Sequence, residues 1–293
     1  MASAQQASPR DRRIALTAAG PPPEIRFKRR IRPVRAMADL WRVREVVQSL
    51  AEREFRVRYK QAVLGVAWAV LTPLALMVIF SLLFSRVARV DTGDVPYAVF
   101  AYIALVPWTF FSVAVMQAGM SLLLNAPLIQ KVSFPREVFP VASVVVAGID
   151  TLIALIPLGL LMLVTATPPH ITALWTPVFV LIQVLFVLGV AFTLSAVIVF
   201  FRDLRHGLPI ILQLGLFATP VAYGIEAVPE DRRLVYAALN PLGPVIDGIR
   251  RTVLYGLAPH WGQTAVAGIS ATLFFLGGYL LFKRLEGSIS DVV

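Results

Sequence analysis

The chain has no cysteine, so it can form neither a disulfide framework nor a thiolate metal site. Histidine is nearly absent as well. His170, His206 and His260 lie far apart in sequence, at expected span ends or loops, which argues against a shared metal site. Charge is scarce: 15% of the residues, where a soluble domain carries about 25%. No Gly-x-x-x-x-Gly-Lys-Ser/Thr loop occurs, which excludes ATP hydrolysis by that phosphate-cradling route. No His/Glu spacing suited to zinc appears either. Neither catalytic residues nor metal ligands are therefore expected. The alternating strands of a transmembrane barrel are also missing.

What the chain has instead is apolar length. It is 58% hydrophobic over 293 residues, with a mean hydropathy of +0.76. Several runs exceed the roughly 20 residues that cross a bilayer core as a helix. The expected fold is all-α: a polytopic membrane protein with six transmembrane helices, an N-terminal amphipathic interfacial helix and short extracytoplasmic re-entrant or gate helices. The net charge of +10 would raise nucleic acid as a partner in a soluble protein. Here the basic residues gather near expected membrane edges, so topology and anionic headgroups account for them and no nucleic acid is expected.

Residues 1–37 are rich in Arg, Ala and Pro and read as a mobile basic cytoplasmic tail, with the transmembrane domain filling 38–293. Over 38–60 apolar residues alternate with charges, which reads as an amphipathic helix in the headgroup plane anchored by Trp41, Arg42, Arg56, Arg58, Tyr59 and Lys60. A solvated helix packing on a soluble partner is the competing reading. Spans are expected over 62–85, 95–123, 138–165, 176–200, 208–225 and 261–282. Between the last two, Pro229 opens one short helix, Asn240-Pro241 breaks the chain, and Gly243-Pro244 starts a second helix through Tyr255. Of the 27 basic residues, 21 fall on one side of this topology, which puts both termini in the cytoplasm. Arg86, Arg89, Arg232, Arg233, Arg250 and Arg251 are left for the other side.

Three features carry functional information. The loop from Asn125 to Pro140 is short and proline-bounded. Pro127 suits a first helical turn, Leu128, Ile129 and Val132 make one apolar stripe with Lys131 beside it, and Pro135 stops the turn. It reads as a small surface helix gripped from outside the membrane, or else as an ordinary tight connection. Asp150 is the one clear intramembrane charge, a position that costs roughly 2.5–3.5 kcal/mol on insertion scales. A relay would need other ionisable groups at similar depth, and only the amides Gln117, Gln183 and Gln213 are there, so a structural hydrogen bond to a neighbouring helix is preferred. The second span holds Tyr97, Phe100, Tyr102, Trp108, Phe110 and Phe111. Aromatics at span ends form interface belts. A continuous set can also line a path, because flat rings stack on sugar C–H faces.

These residues resemble a family. Arg56-Val-Arg-Tyr-Lys-Gln-Ala-Val-Leu-Gly-Val-Ala-Trp-Ala-Val-Leu-Thr-Pro73 is similar to the opening of ABC-2 type permeases that export polysaccharides. The resemblance continues through Val106-Pro-Trp-Thr-Phe-Phe111, Asn125-Ala-Pro-Leu-Ile-Gln-Lys-Val-Ser-Phe-Pro135, Phe200-Phe-Arg-Asp-Leu-Arg205, Thr219-Pro-Val-Ala-Tyr223 and Leu239-Asn-Pro241. It implies a permease subunit of an ATP-driven exporter in the bacterial cytoplasmic membrane, moving a lipid-linked O-antigen, teichoic-acid or cell-wall glycan. It implies a homodimer with two copies of an ABC ATPase subunit, which hold ATP and Mg; the chain itself has no cofactor and is not an enzyme. By the same resemblance Pro127, Leu128, Ile129, Lys131, Val132 and Phe134 form a coupling helix to the ATPase. Residues 228–256 match gate helices, and Phe100, Tyr102, Trp108, Phe110 and Phe111 fall in a channel-lining region. The long basic tail departs from the family pattern. The alternatives are a drug or lipid exporter of the same fold and an ion-coupled secondary transporter built on Asp150.

Overall fold

A computed structural model describes residues 44–60, 65, 67–85, 90–131 and 135–292. The basic tail, Trp41, Arg42, Val132 and Phe134 lie outside the described residues. Among the described residues the regular structure is entirely helical. The helices are α1 (Arg44–Tyr59), α2 (Ala67–Phe80, continued by a π-helical turn Ser81–Ser85), α3 (Tyr97–Leu124), α4 (Ala126–Ile129) and α5 (Val138–Val164). They are followed by α6 (Thr176–Phe200), α7 (Leu204–Ala218), α8 (Arg233–Leu239), α9 (Leu242–Val253) and α10 (Trp261–Val292).

Five stretches are long and apolar enough to cross a bilayer: Ala67–Phe84, Tyr97–Leu124, Val138–Val164, Ile171–Phe200 and Trp261–Ile289. The fifth span expected from sequence, 208–225, is shorter than its apolar run suggests. Its helix begins at Leu204 and stops at Ala218. Thr219 then turns extended, and the chain runs on without helix through Gly224. Pro220 explains the stop, since the residue before a proline is pushed out of the helical region.

Interrupting a helix in an apolar setting leaves carbonyls without partners, and such backbone is tolerated only where protein satisfies it. Here each is met. The Phe217 and Ala218 carbonyls accept from the Tyr223 and Tyr236 hydroxyls, at 2.8 and 2.9 Å. Thr219 accepts from the Val221 N–H at 2.7 Å, and Ala222 from the Tyr97 hydroxyl at 2.7 Å. Pro220, Val221 and Tyr223 all accept from one side chain, Arg250.

α3 is the hub. Val99, Ala101, Tyr102, Ala104, Leu105, Ala114, Ala118 and Leu122 are buried along its whole length, against α5, α6, α2 and α9. Pro107 lies inside α3, and Gln183 of α6 donates to its carbonyl at 2.6 Å, a polar tie between the two spans. The most extensive pairing joins α6 to α10. There the backbones touch through glycine. A Cβ on Gly278 would lie 2.1 Å from the Gly189 carbonyl oxygen, and one on Gly189 would lie 2.5 Å from the Phe274 backbone. Close approach through small residues is how helices associate in lipid, where apolar burial by itself drives little.

Candidate functional site

The end of the bundle where α3 gives way to α5 holds the polar chemistry. Pro127 occupies the first turn of α4, as its sequence position predicts, and α4 is a single turn with no fully buried residue. Beside it α1 leaves a groove of about 670 Å³, whose walls include Val46, Leu50 and Arg53 of α1 together with Leu124, Asn125, Pro127, Leu128 and Lys131. Leu124 is 72% exposed there.

The expectation for residues 38–60 is corrected in one respect. α1 does not only lie across the surface: its second half follows the first half of α5. Arg53 Nη1 donates to Asn125 Oδ1 at 3.2 Å, tying α1 to the entrance of α4. One residue on, Glu54 accepts from the Ser143 hydroxyl at 3.0 Å. Burial pushes the Glu54 carboxyl up, against the pull of that hydrogen bond and of Arg58 and Arg53. Arg58 Nη1 and the Tyr59 hydroxyl both donate to Asp150, at 2.6 and 2.7 Å, and Arg58 Nη2 donates to Gln117 of α3. Burial first, and then the carboxylate beside it, push the Tyr59 phenol up to about 12, so it remains a donor at neutral pH. Asp150 lies 12 residues into α5, about 18 Å along the helix.

The sequence reading of Asp150 anticipated a structural hydrogen bond but not its partners. Arg58 and Tyr59 were assigned to headgroups, and they turn inward instead. Lys60 and Arg56 remain exposed. The α5 entrance is held from a third side. Glu137 is 1% exposed and pairs with Lys283 of α10 at 2.6 Å, while Lys283 also meets Glu286 at 3.0 Å.

At the opposite end, α8 and α9 form the two short helices expected over 228–256. α9 is buried along nearly its whole length, from Leu242 to Arg250. The aromatic set of α3 lies between the two ends. Phe100, Tyr102, Trp108 and Phe110 are buried within this chain, and Phe111 is half-buried, stacked on Phe186 of α6 at 5.4 Å. The Tyr102 hydroxyl donates to the Ala154 carbonyl at 3.1 Å. In this arrangement the rings are core and not an open lining. Each meets a helix of its own chain before it can meet solvent, so a lining role requires α3 to part from its neighbours.

The bundle of apolar spans thus has one helical turn beside a groove at one end, and at the other two short helices of which α9 is buried and α8 largely exposed. The profile of the ABC-2 type transporter family matches residues 45–254, well over half of the chain. The chain belongs to the ABC-2 type transporter family. This ABC-2 chain is 35% identical over 256 residues to the O-antigen export system permease protein RfbA of Myxococcus xanthus, covering 86% of the chain and 97% of that protein. A Klebsiella pneumoniae protein of the same description is 26% identical over 83% of the chain and 93% of its own length. The polysialic acid transport protein KpsM of Escherichia coli is 25% identical over 84% and 95%. The matched region of the ABC-2 chain includes α1, the groove, the α3 aromatics and both short helices. It is a multi-pass membrane protein that acts as a transport component. Among the described residues no group of three or more His, Cys, Asp or Glu is placed to hold a metal.

Proposed function

We propose that this chain is the permease subunit of an ATP-driven exporter that carries a lipid-linked polysaccharide across the bacterial cytoplasmic membrane. The glycan is of the O-antigen, teichoic-acid or cell-wall type. The observation that carries the reading is likeness over nearly the whole length of an O-antigen export permease, at 35% identity. In this proposal two copies of the chain pair, and two ATPase subunits bind below them and hold ATP and Mg. Pro127, Leu128, Ile129 and Lys131, continuing through Val132 and Phe134, form the contact that the ATPase grips. Both termini and α4 are cytoplasmic, α8 and α9 are extracytoplasmic, and α7 with residues 219–225 makes the sixth crossing. The position of α4 beside an open groove supports the coupling role. The conduit forms along α3, and Phe100, Tyr102, Trp108, Phe110 and Phe111 meet the polymer once that helix separates from its neighbours.

An ion-coupled carrier is disfavoured because Asp150 is already engaged by Arg58 and Tyr59. Depleting the chain in its own cell tests the proposal. Glycan should accumulate on the cytoplasmic face, and an ABC ATPase should co-purify with the tagged permease. Unchanged surface glycan in depleted cells, with no ATPase bound, would refute the reading; an ATPase bound with unchanged glycan would favour a drug or lipid exporter.

A further inference from the structure

Arg250, whose guanidinium caps the carbonyls of segment 220–223, is the one fully buried cation among the described residues. It sits on α9, 3% exposed, and no carboxylate among the described residues lies within ion-pair distance of it. Burying a cation this far costs several kcal/mol unless something replaces its water. Backbone carbonyls do so. Nη1 donates to Pro220 and Tyr223, both at 2.8 Å, Nη2 donates to Val221, and Nε donates to Phe100 of α3 at 3.1 Å. The guanidinium carbon lies 3.6 Å from the centre of the Phe100 ring, within range of an attraction to its π face. Burial brings Arg250 down to about 10, so the group is still a cation at neutral pH. The planar fork with five donors suits this cage; a lysine ammonium has neither the reach nor the geometry.

The bonds are unequally shared. Three go to the non-helical segment 220–223, and one, with the ring contact, goes to α3. We propose that Arg250 is the positioning residue of the closure at this end of the bundle: it fuses α9 and segment 220–223 into one body and seats that body on Phe100. The seat on α3, which the Tyr97 hydroxyl also ties through the Ala222 carbonyl at 2.7 Å, is where the body separates when the conduit opens. The role in opening rests on the exporter reading; the cage itself does not.

The test therefore uses no glycan and no ATPase. Ala222 lies in the caged segment, 2% exposed, and Ala222→Cys supplies a single thiol in a chain that has none. In nanodiscs that thiol should react slowly with a water-soluble maleimide. Adding Arg250→Ala should speed labelling at least about tenfold, because local opening sets the rate. Millimolar guanidinium should refill the cage and restore most of the protection. Urea has the same plane without the charge and should not. Labelling no faster than the parent, or equal rescue by urea, would overturn the proposal. If the alanine variant does not insert, Arg250→Lys answers instead: it keeps the charge but cannot bridge the four carbonyls, so labelling should rise, and parental labelling would overturn the cage. In the ATPase complex, Arg250→Lys should then slow export while ATPase association holds. Normal export from an opened cage would refute the gating role alone.

Discussion

The ion pair between Arg58 and Asp150 can be removed from either side, and the outcome is calculable. The atoms lie 2.6 Å apart, and the side chains are 27% and 13% exposed. Breaking a fully buried pair from one side costs roughly 3–5 kcal/mol, whereas an exposed pair is worth about 0–1. This pair lies nearer the buried limit but touches solvent, so Arg58→Met or Asp150→Leu alone should each cost roughly 2–3 kcal/mol. The double variant removes both charges and fills the space with carbon, and should return to within about 1 kcal/mol of the parent. The coupling, the double variant's cost less the sum of the two single costs, is then roughly 4 kcal/mol in magnitude, well outside the error of a double-mutant cycle. Detergent-solubilised protein titrated with denaturant gives the four stabilities. Additive single effects would show that the two side chains merely share a neighbourhood. Asp150→Asn separates the structural role from a relay. Asparagine still accepts from Tyr59, so export should survive with an unchanged pH profile. Loss of export in a well-folded Asn variant would refute the clamp as the reason for Asp150.

Three further outcomes follow from the geometry. Leu128→Asp puts a lone carboxylate on the groove wall; the permease should still insert, but ATPase association should weaken at least about tenfold in a pull-down titration. Lys283→Met strands the Glu137 carboxylate, 1% exposed, and should cost roughly 3–5 kcal/mol, while adding Glu137→Gln should recover most of it in a thermal-shift series. Asp247 on α9 is pushed up to about 6 by burial, with Glu226 adding and Arg251, Arg250 and Arg233 opposing. A carboxyl raised above its usual value of about 4 contributes stability that is full below that pH and lost as pH rises through about 6. Asp247→Asn should flatten the pH–stability curve across that window and raise neutral stability by roughly 2–3 kcal/mol, and an unchanged curve would show that the group is solvated.

Much of the architecture was legible because bilayer length and hydropathy are blunt constraints. The spans of α3, α5 and α6 begin and end within a few residues of the apolar runs. Pro127 announced α4, and Asn240-Pro241 announced the break between α8 and α9. What escaped depended on direction. An amphipathic pattern over 44–59 says that one face is apolar, not whether the other meets headgroups or the flank of α5. Arg250 falls on an expected short helix and counts only as a charge on the far side of the membrane, because charge counting takes no account of packing. Its spacing from Asp247, one turn back on a helix that is apolar from Leu242 to Ile246, was the available hint. The run through residue 225 reads as one crossing, Pro220 included, because Val221, Ala222 and Ile225 prolong its apolar character past the proline. Only the side chains that cap its carbonyls, drawn from four different places in the chain, show that the helix has ended. The α3 rings were recognised as unusual, but composition cannot tell a lining from a core.

The glycine contact between α6 and α10 constrains the working cycle. A joint made of side chains can slip, because rotamers on both sides trade places. A joint made of bare backbone has no such play: with Gly278 against the Gly189 carbonyl, sliding or rolling either helix drives main chain into main chain. The pair therefore behaves as a mast, stiff along its length. α2 and α7, by contrast, bury only Pro73 and Phe80, and Leu208 and Leu216. They are the rigging, and if α4 is the coupling contact, as proposed, its stroke is taken up there.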